Sequence, residues 1–89
     1  MGENYQKIHN IILENRNNLT LSGIKKVENF DEDNIVLITE MGELTIKGEN
    51  LHISKMDVDL GDMKIDGKIV GLVYNENIKG TSVIKRLFK

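Results

Sequence analysis

The sequence repeats a short pattern in which apolar residues stand two positions apart and a glycine follows. The copies are LTLSG at 19–23, LTIKG at 44–48 and MKIDG at 63–67. Successive side chains of a strand point to opposite faces, so this spacing is typical of half-buried β-strands, and glycine suits the turn that ends each one. The pattern predicts an all-β fold in which Gly23, Gly48 and Gly67 are structural turn glycines.

Length and composition limit the fold and the function. With 89 residues, 39% of them hydrophobic, the chain is expected to form one small domain with a thin core. The absence of cysteine excludes disulfides and thiolate metal sites. A net charge of −2 argues against nucleic acid as a partner, since such proteins normally carry a basic surface. Without a long apolar segment or an apolar signal core, a cytoplasmic protein is expected.

Short apolar runs return at intervals typical of an antiparallel sheet. They predict a single β-domain over 8–76, preceded by a flexible N-terminus over 1–7. About seven or eight short strands are expected, forming a curved meander or sandwich, with a short β-solenoid as the alternative because the glycine pattern recurs. Residues 35–39 are expected to form a central strand buried on both faces. The predicted core comprises Ile35, Leu37, Leu44, Ile46, Leu51, Ile53, Ile65 and Leu72.

The last residues differ in character from the rest of the chain. Residues 77–89 carry basic side chains and no acidic ones, whereas the middle of the sequence is rich in carboxylates. Apolar residues at helical spacing predict a short amphipathic C-terminal helix. This tail either contacts a partner or a membrane, or packs on the core. The predicted contact residues are Val83, Ile84, Lys85, Arg86, Leu87, Phe88 and Lys89.

Few residues in the sequence suggest a catalytic or ligand-binding role. His9 and His52 are the only histidines, and the sequence supplies no partner carboxylate for proton transfer. Residues 57–62 (DVDLGD) begin like a calcium loop but lack its bidentate glutamate, so a strand and a turn are the simpler interpretation. No nucleophile with a base and no phosphate-binding glycine loop occurs, so neither catalysis nor a cofactor nor a metal is expected. A small-ligand or metal-binding regulator that uses 57–62 with His9 or His52 stays as the alternative function.

The order of several phrases between His9 and Tyr74 resembles the YabP branch of the YabP/YqfC sporulation proteins. These phrases include LTLSG, VENFD, MGELTIKG, NLHI, IDG and LVY, and the final KRLFK resembles the end of that branch. The resemblance implies a protein without known enzymatic activity, made in the mother cell and acting at the forespore surface during spore envelope (coat and cortex) assembly. It assigns no ligand-binding residue. The expected partners are further copies of the chain, envelope proteins or the forespore membrane surface.

Overall fold

The computed structural model describes residues 8–75, which fold into antiparallel strands. Six strands are present, namely β1 (Ile11–Glu14), β2 (Asn18–Leu21), β3 (Ile24–Phe30), β4 (Asn34–Thr39), β5 (Gly42–Asp57) and β6 (Asp62–Asn75). They form one sheet in the order β1-β2-β6-β5-β4-β3. Residues 8–75 contain no helix. The prediction of an all-β fold is confirmed, while the predicted C-terminal helix and tail lie outside the described residues.

The sheet bends back on itself at the middle of the β5–β6 hairpin. Only Ser22 and Gly23 connect β2 to β3, although these strands lie four places apart in the sheet order. In a flat sheet four strand spacings measure about 19 Å. Three residue steps span at most about 11 Å. The two strands can be joined this way only if the sheet is strongly curved.

The halves of the long hairpin belong to opposite sides of this curve. The first half of β5 pairs with β4 and the second half of β6, whereas the first half of β6 pairs with β2 and the second half of β5. Each half of the hairpin therefore anchors its own group of strands. The inner faces of the two groups enclose one core, formed by Leu19, Leu21, Ile24, Ile35, Leu37, Leu44, Ile46, Leu51, Met63, Ile65 and Ile69.

Two glycines allow the backbones to approach at the bend. A Cβ at Gly67, where φ is 126°, would lie 2.6 Å from the carbonyl oxygen of Asn50 and 2.8 Å from the Cα of Leu51. A Cβ at Gly48 would lie 2.7 Å from the Leu51 side chain. The β5–β6 register shifts on both sides of this region, between Lys47 and Gly48 and again before His52. Both glycines thus lie inside strands, where the hairpin is bent, and not in loops between strands.

The strand division differs from the sequence prediction. The sequence favours two strands, at 44–47 and 51–54, with a turn at the residues between them. In the structure both runs are parts of the single strand β5, because the intervening residues form a bulged bend and not a reversal of direction. The expectation that 35–39 is buried on both faces is wrong, since burial alternates along β4 and the outer side chains are only half-buried. Six of the eight predicted core residues are buried, and Ile53 and Leu72 pack against the core while partly exposed.

Candidate interaction surfaces

Within residues 8–75, the bent sheet leaves strand edges without a neighbouring strand. Pairing between β2 and β6 ends at Asp66, so residues 70–75 of β6 pair with β5 alone among the described strands. Likewise, residues 52–57 of β5 pair with β6 and with no other described strand. Val70 and Val73 on the β6 edge have exposed side chains. An edge with free backbone groups and apolar side chains is a template on which another strand can pair.

The turn between β5 and β6, residues 57–62, is acidic and carries exposed apolar side chains, and is called the acidic turn below. Hydrogen bonds fix its shape. The Gly61 N–H donates to the Asp57 carbonyl oxygen (2.8 Å), and the Leu60 N–H donates to Asp57 Oδ1 (3.1 Å). The Ile24 N–H donates to the Gly61 carbonyl oxygen (2.9 Å), which ties the turn to β3. The Asp57 carboxylate thus stabilises the turn.

A polar cleft of about 760 Å³ lies beside the bend. Its lining consists of Asn15, Arg16, Asn17, Asn18, Glu49, Asn50, Asp66, Gly67 and Lys68. Within residues 8–75, three non-glycine residues have positive φ, and Asn15 (53°), Arg16 (56°) and Asn50 (55°) all line this cleft. Left-handed backbone at such residues costs energy and tends to cluster at functional sites. The asparagine-rich run ENRNN at 14–18 has the composition of a turn, and it is the signal in the sequence that points to this region.

The two histidines have separate local partners. His9 Nδ1 lies 2.7 Å from the Ser22 carbonyl oxygen, and His9 Nε2 lies 2.6 Å from the Tyr74 hydroxyl. A neutral imidazole satisfies both contacts when Nδ1–H donates to the carbonyl and Nε2 accepts from the hydroxyl. Partial burial raises the pKa of the Tyr74 phenol above its ordinary value. His52 Nε2 instead lies 3.6 Å from Asp66 Oδ2 on an exposed part of the sheet.

Residues 8–75 contain no group of three or more histidine, cysteine or carboxylate side chains arranged to hold a metal ion. No helix suited to crossing a membrane occurs in that part of the chain. Of the residues singled out in the sequence, Gly23 lies in the link between β2 and β3, while Gly48 and Gly67 lie at the bend. The predicted contact residues 83–89 lie outside the described residues.

Comparison with known proteins identifies the family. The model of the YabP family matches residues 5–81. Spore protein YabP of Bacillus subtilis (strain 168) is 36% identical over 84 residues, which cover 91% of this chain and 84% of that protein. The family is not a known family of enzymes. The match to the family model and the identity over most of the chain show that this chain belongs to the YabP family.

Proposed function

We propose that this chain acts in endospore formation as a non-catalytic assembly protein. Its family and its similarity to a protein described as a spore protein support a role in sporulation. We place it in the cytoplasm of the mother cell, at the forespore surface, during assembly of the coat and cortex. It works by associating with further copies of itself or by docking on spore envelope proteins.

The free edge of β6 is the observation that carries this proposal. Residues 70–75 offer backbone donors and acceptors beside exposed Val70 and Val73, and no other strand within residues 8–75 pairs with this edge. Strand addition at such an edge gives affinity through backbone hydrogen bonds and specificity through alternate side chains. The sequence contains no proline, which is one of the residues that blunt sheet edges in monomeric proteins. A second copy or an envelope protein can therefore extend the sheet.

The basic tail supplies a second contact in this proposal. Lys85, Arg86 and Lys89 accompany apolar residues at helical spacing in the sequence. A basic residue near an anionic membrane surface contributes about 1 kcal/mol to binding, and apolar side chains add to this. The tail thus supports peripheral contact with the forespore membrane or with a partner protein there.

Sedimentation equilibrium tests self-association. The full chain is compared with Val73→Lys, which places a charge on the free edge, and with Met41→Lys, a matched change at an exposed apolar residue in the β4–β5 turn. We expect mass to rise with concentration in the full chain and in Met41→Lys, and association to weaken about tenfold or more in Val73→Lys. Monomers at every concentration, at low and at moderate salt, would contradict self-association.

Localisation in sporulating cells tests the site of action. A fluorescent fusion of the chain is compared with the same fusion lacking residues 81–89. We expect the full chain to gather at the forespore and the truncated chain to gather less while it remains folded. A diffuse signal from the full chain throughout sporulation would reject the proposed site. Cross-linking in the same cells, followed by mass identification, names the partner.

A small-ligand or metal-binding regulator is the second candidate function. The polar cleft favours it, because its volume lies within the roughly 300–1,000 Å³ of ligand sites and left-handed Arg16 and Asn50 line it. Thermal melts with and without divalent ions distinguish this candidate from assembly. A melting shift that depends on the ion supports a regulator. Mass that depends on protein concentration supports the assembly protein.

A further inference from the structure

The acidic turn presents the most exposed large apolar side chains of the described part of the chain. Val58 is 69% exposed and Leu60 is 70% exposed. Both side chains stand on a turn whose backbone is fixed by hydrogen bonds within the turn and to Ile24. Exposed apolar side chains that stand close together on a small domain are candidates for an interaction surface.

A groove of about 310 Å³ lies between the acidic turn and the start of β3. Val58, Leu60 and Ile24 contribute apolar surface to it, and Glu40 and Asp59 contribute carboxylates. Lys25 is the one basic residue in its lining. The two carboxylates of the lining outnumber its single cation. The occupant that suits this groove is apolar and positively charged.

Residues 81–89 have this composition. Their sequence, TSVIKRLFK, combines Leu87 and Phe88 with Lys85, Arg86 and Lys89, and it includes no acidic residue. An isolated helix of about nine residues is marginal in water, so a helix in such a segment requires another surface on which to pack. The charge and the apolar character of the tail therefore complement those of the groove.

The tail can reach the groove of its own chain. Asn75, the last described residue, pairs with Glu43, Glu43 with Ile38, and Ile38 with Lys26 of β3. Three strand spacings, about 14 Å, thus separate Asn75 from the strand to which the acidic turn is bonded. The five residues 76–80 span up to about 17 Å when extended. A short tether of this kind gives an effective concentration in the millimolar range, which favours docking within one molecule.

We propose that residues 81–89 dock in the groove of their own chain, with Leu87 and Phe88 against Val58 and Leu60 and with the basic side chains among the carboxylates. This inference is independent of the function proposed above, because it uses only the tail sequence and the described turn. Docking occupies the same side chains that would contact an anionic membrane or a partner. Docking therefore competes with those contacts, and salt weakens it by screening the charges.

Disulfide trapping tests the docking directly, because the chain has no cysteine of its own. The variant Leu60→Cys with Leu87→Cys is oxidised mildly and run on a non-reducing gel. The control, Phe30→Cys with Leu87→Cys, places the first cysteine at an exposed residue of β3 far from the groove. We expect the first variant to form an intrachain disulfide at least about tenfold faster than the control, at a rate independent of protein concentration.

Charge reversal supplies a second measurement. Asp59→Lys in the trapping variant is expected to slow the intrachain reaction several-fold, and a further Lys85→Glu is expected to restore part of the rate. Asp59 is exposed, so neither change disturbs the core. Trapping no faster than in the Phe30 control overturns the proposal. Interchain disulfides that form faster at higher concentration also overturn it, since they place the tail on a second copy.

Discussion

Arg16 and Ile69 are joined by two hydrogen bonds, one donated by each residue. The Ile69 N–H donates to the Arg16 carbonyl oxygen (2.8 Å), and Arg16 Nε donates to the Ile69 carbonyl oxygen (3.1 Å). Strand pairing between β2 and β6 ends at Asp66. The two bonds between Arg16 and Ile69 therefore extend the contact between β6 and the β1–β2 hairpin beyond the bend. Arg16 makes them from a left-handed backbone conformation that usually favours glycine or asparagine.

Two substitutions at Arg16 separate the hydrogen bond from the backbone strain. Arg16→Ala loses the bond from Nε and keeps the strain, so we expect the free energy of unfolding to fall by about 1 kcal/mol. Arg16→Gly loses the same bond but relieves the left-handed strain, and is expected to be more stable than Arg16→Ala by about 1 kcal/mol. Urea unfolding measures both. If Arg16→Gly is less stable than Arg16→Ala, backbone strain at this position does not determine the difference in the free energy of unfolding.

Substitution of Gly67 is expected to destabilise the bend. Gly67→Ala puts a Cβ at 2.6 Å from the Asn50 carbonyl oxygen and forces a methyl-bearing residue to adopt φ of 126°. We expect a loss of more than about 1 kcal/mol in the free energy of unfolding. Gly71→Ala is the matched control on the same strand, because nothing lies within 4 Å of its added Cβ. Equal effects at the two glycines would contradict the close approach at the bend.

The core prediction concerns Leu44 and Ile46, both with no exposed surface. Leu44→Ala or Ile46→Ala is expected to lower the free energy of unfolding by about 2–5 kcal/mol, since each leaves a cavity between the two groups of strands. The exposed Met41, in the adjoining turn, is the control, and Met41→Ala is expected to change stability by less than about 0.5 kcal/mol. Losses well under 1 kcal/mol at both core positions would mean that the inner face is assigned wrongly.

Stability is expected to fall at alkaline pH because of Tyr74. Burial raises the pKa of its phenol above 10.0 in the folded chain, so the unfolded chain releases this proton first. The stabilising contribution is complete below pH 10.0 and is lost as the pH rises through the folded-state pKa. Thermal melts from about pH 8 to about pH 11 are compared with those of Tyr74→Phe. Parallel curves for the two proteins would show that Tyr74 contributes nothing to the dependence.

The strands could be predicted where apolar residues occupy every second position, so that they all lie on one face of the sheet. Ile35 and Leu37 on β4, and Leu44 and Ile46 on β5, follow the period of two, and all four are buried. Such alternation depends only on neighbouring residues, so a local pattern is sufficient to find it.

The bend could not be predicted in this way. Gly48, Glu49 and Asn50 have the composition of a turn, yet the close approach of Gly67 to Asn50 keeps the strands paired around them. That contact joins residues far apart in the sequence and is absent from any local pattern. The core prediction also missed five buried residues, whose burial depends on the strands that fold over them: Leu19, Leu21, Ile24, Met63 and Ile69.

The polar cleft escaped prediction for a related reason. Its residues come from the β1–β2 hairpin and from both sides of the bend, and only the folded sheet brings them together. Asparagine at positions 15 and 17 signals a turn in the sequence, but the signal carries no information about what the turn faces.

The pairing of β2 with β6 has a consequence for synthesis. Leu21 pairs with Met63, about forty residues later in the chain. At roughly 5–20 residues per second, a ribosome takes about 2–8 s to make that partner. Until β6 has been made, the edge of β2 that pairs with it stays unpaired. By contrast, β3, β4 and the start of β5 can pair with one another as soon as they emerge from the ribosome. The rate of translation, and any chaperone at the exit site, sets how long this edge is exposed to other nascent chains.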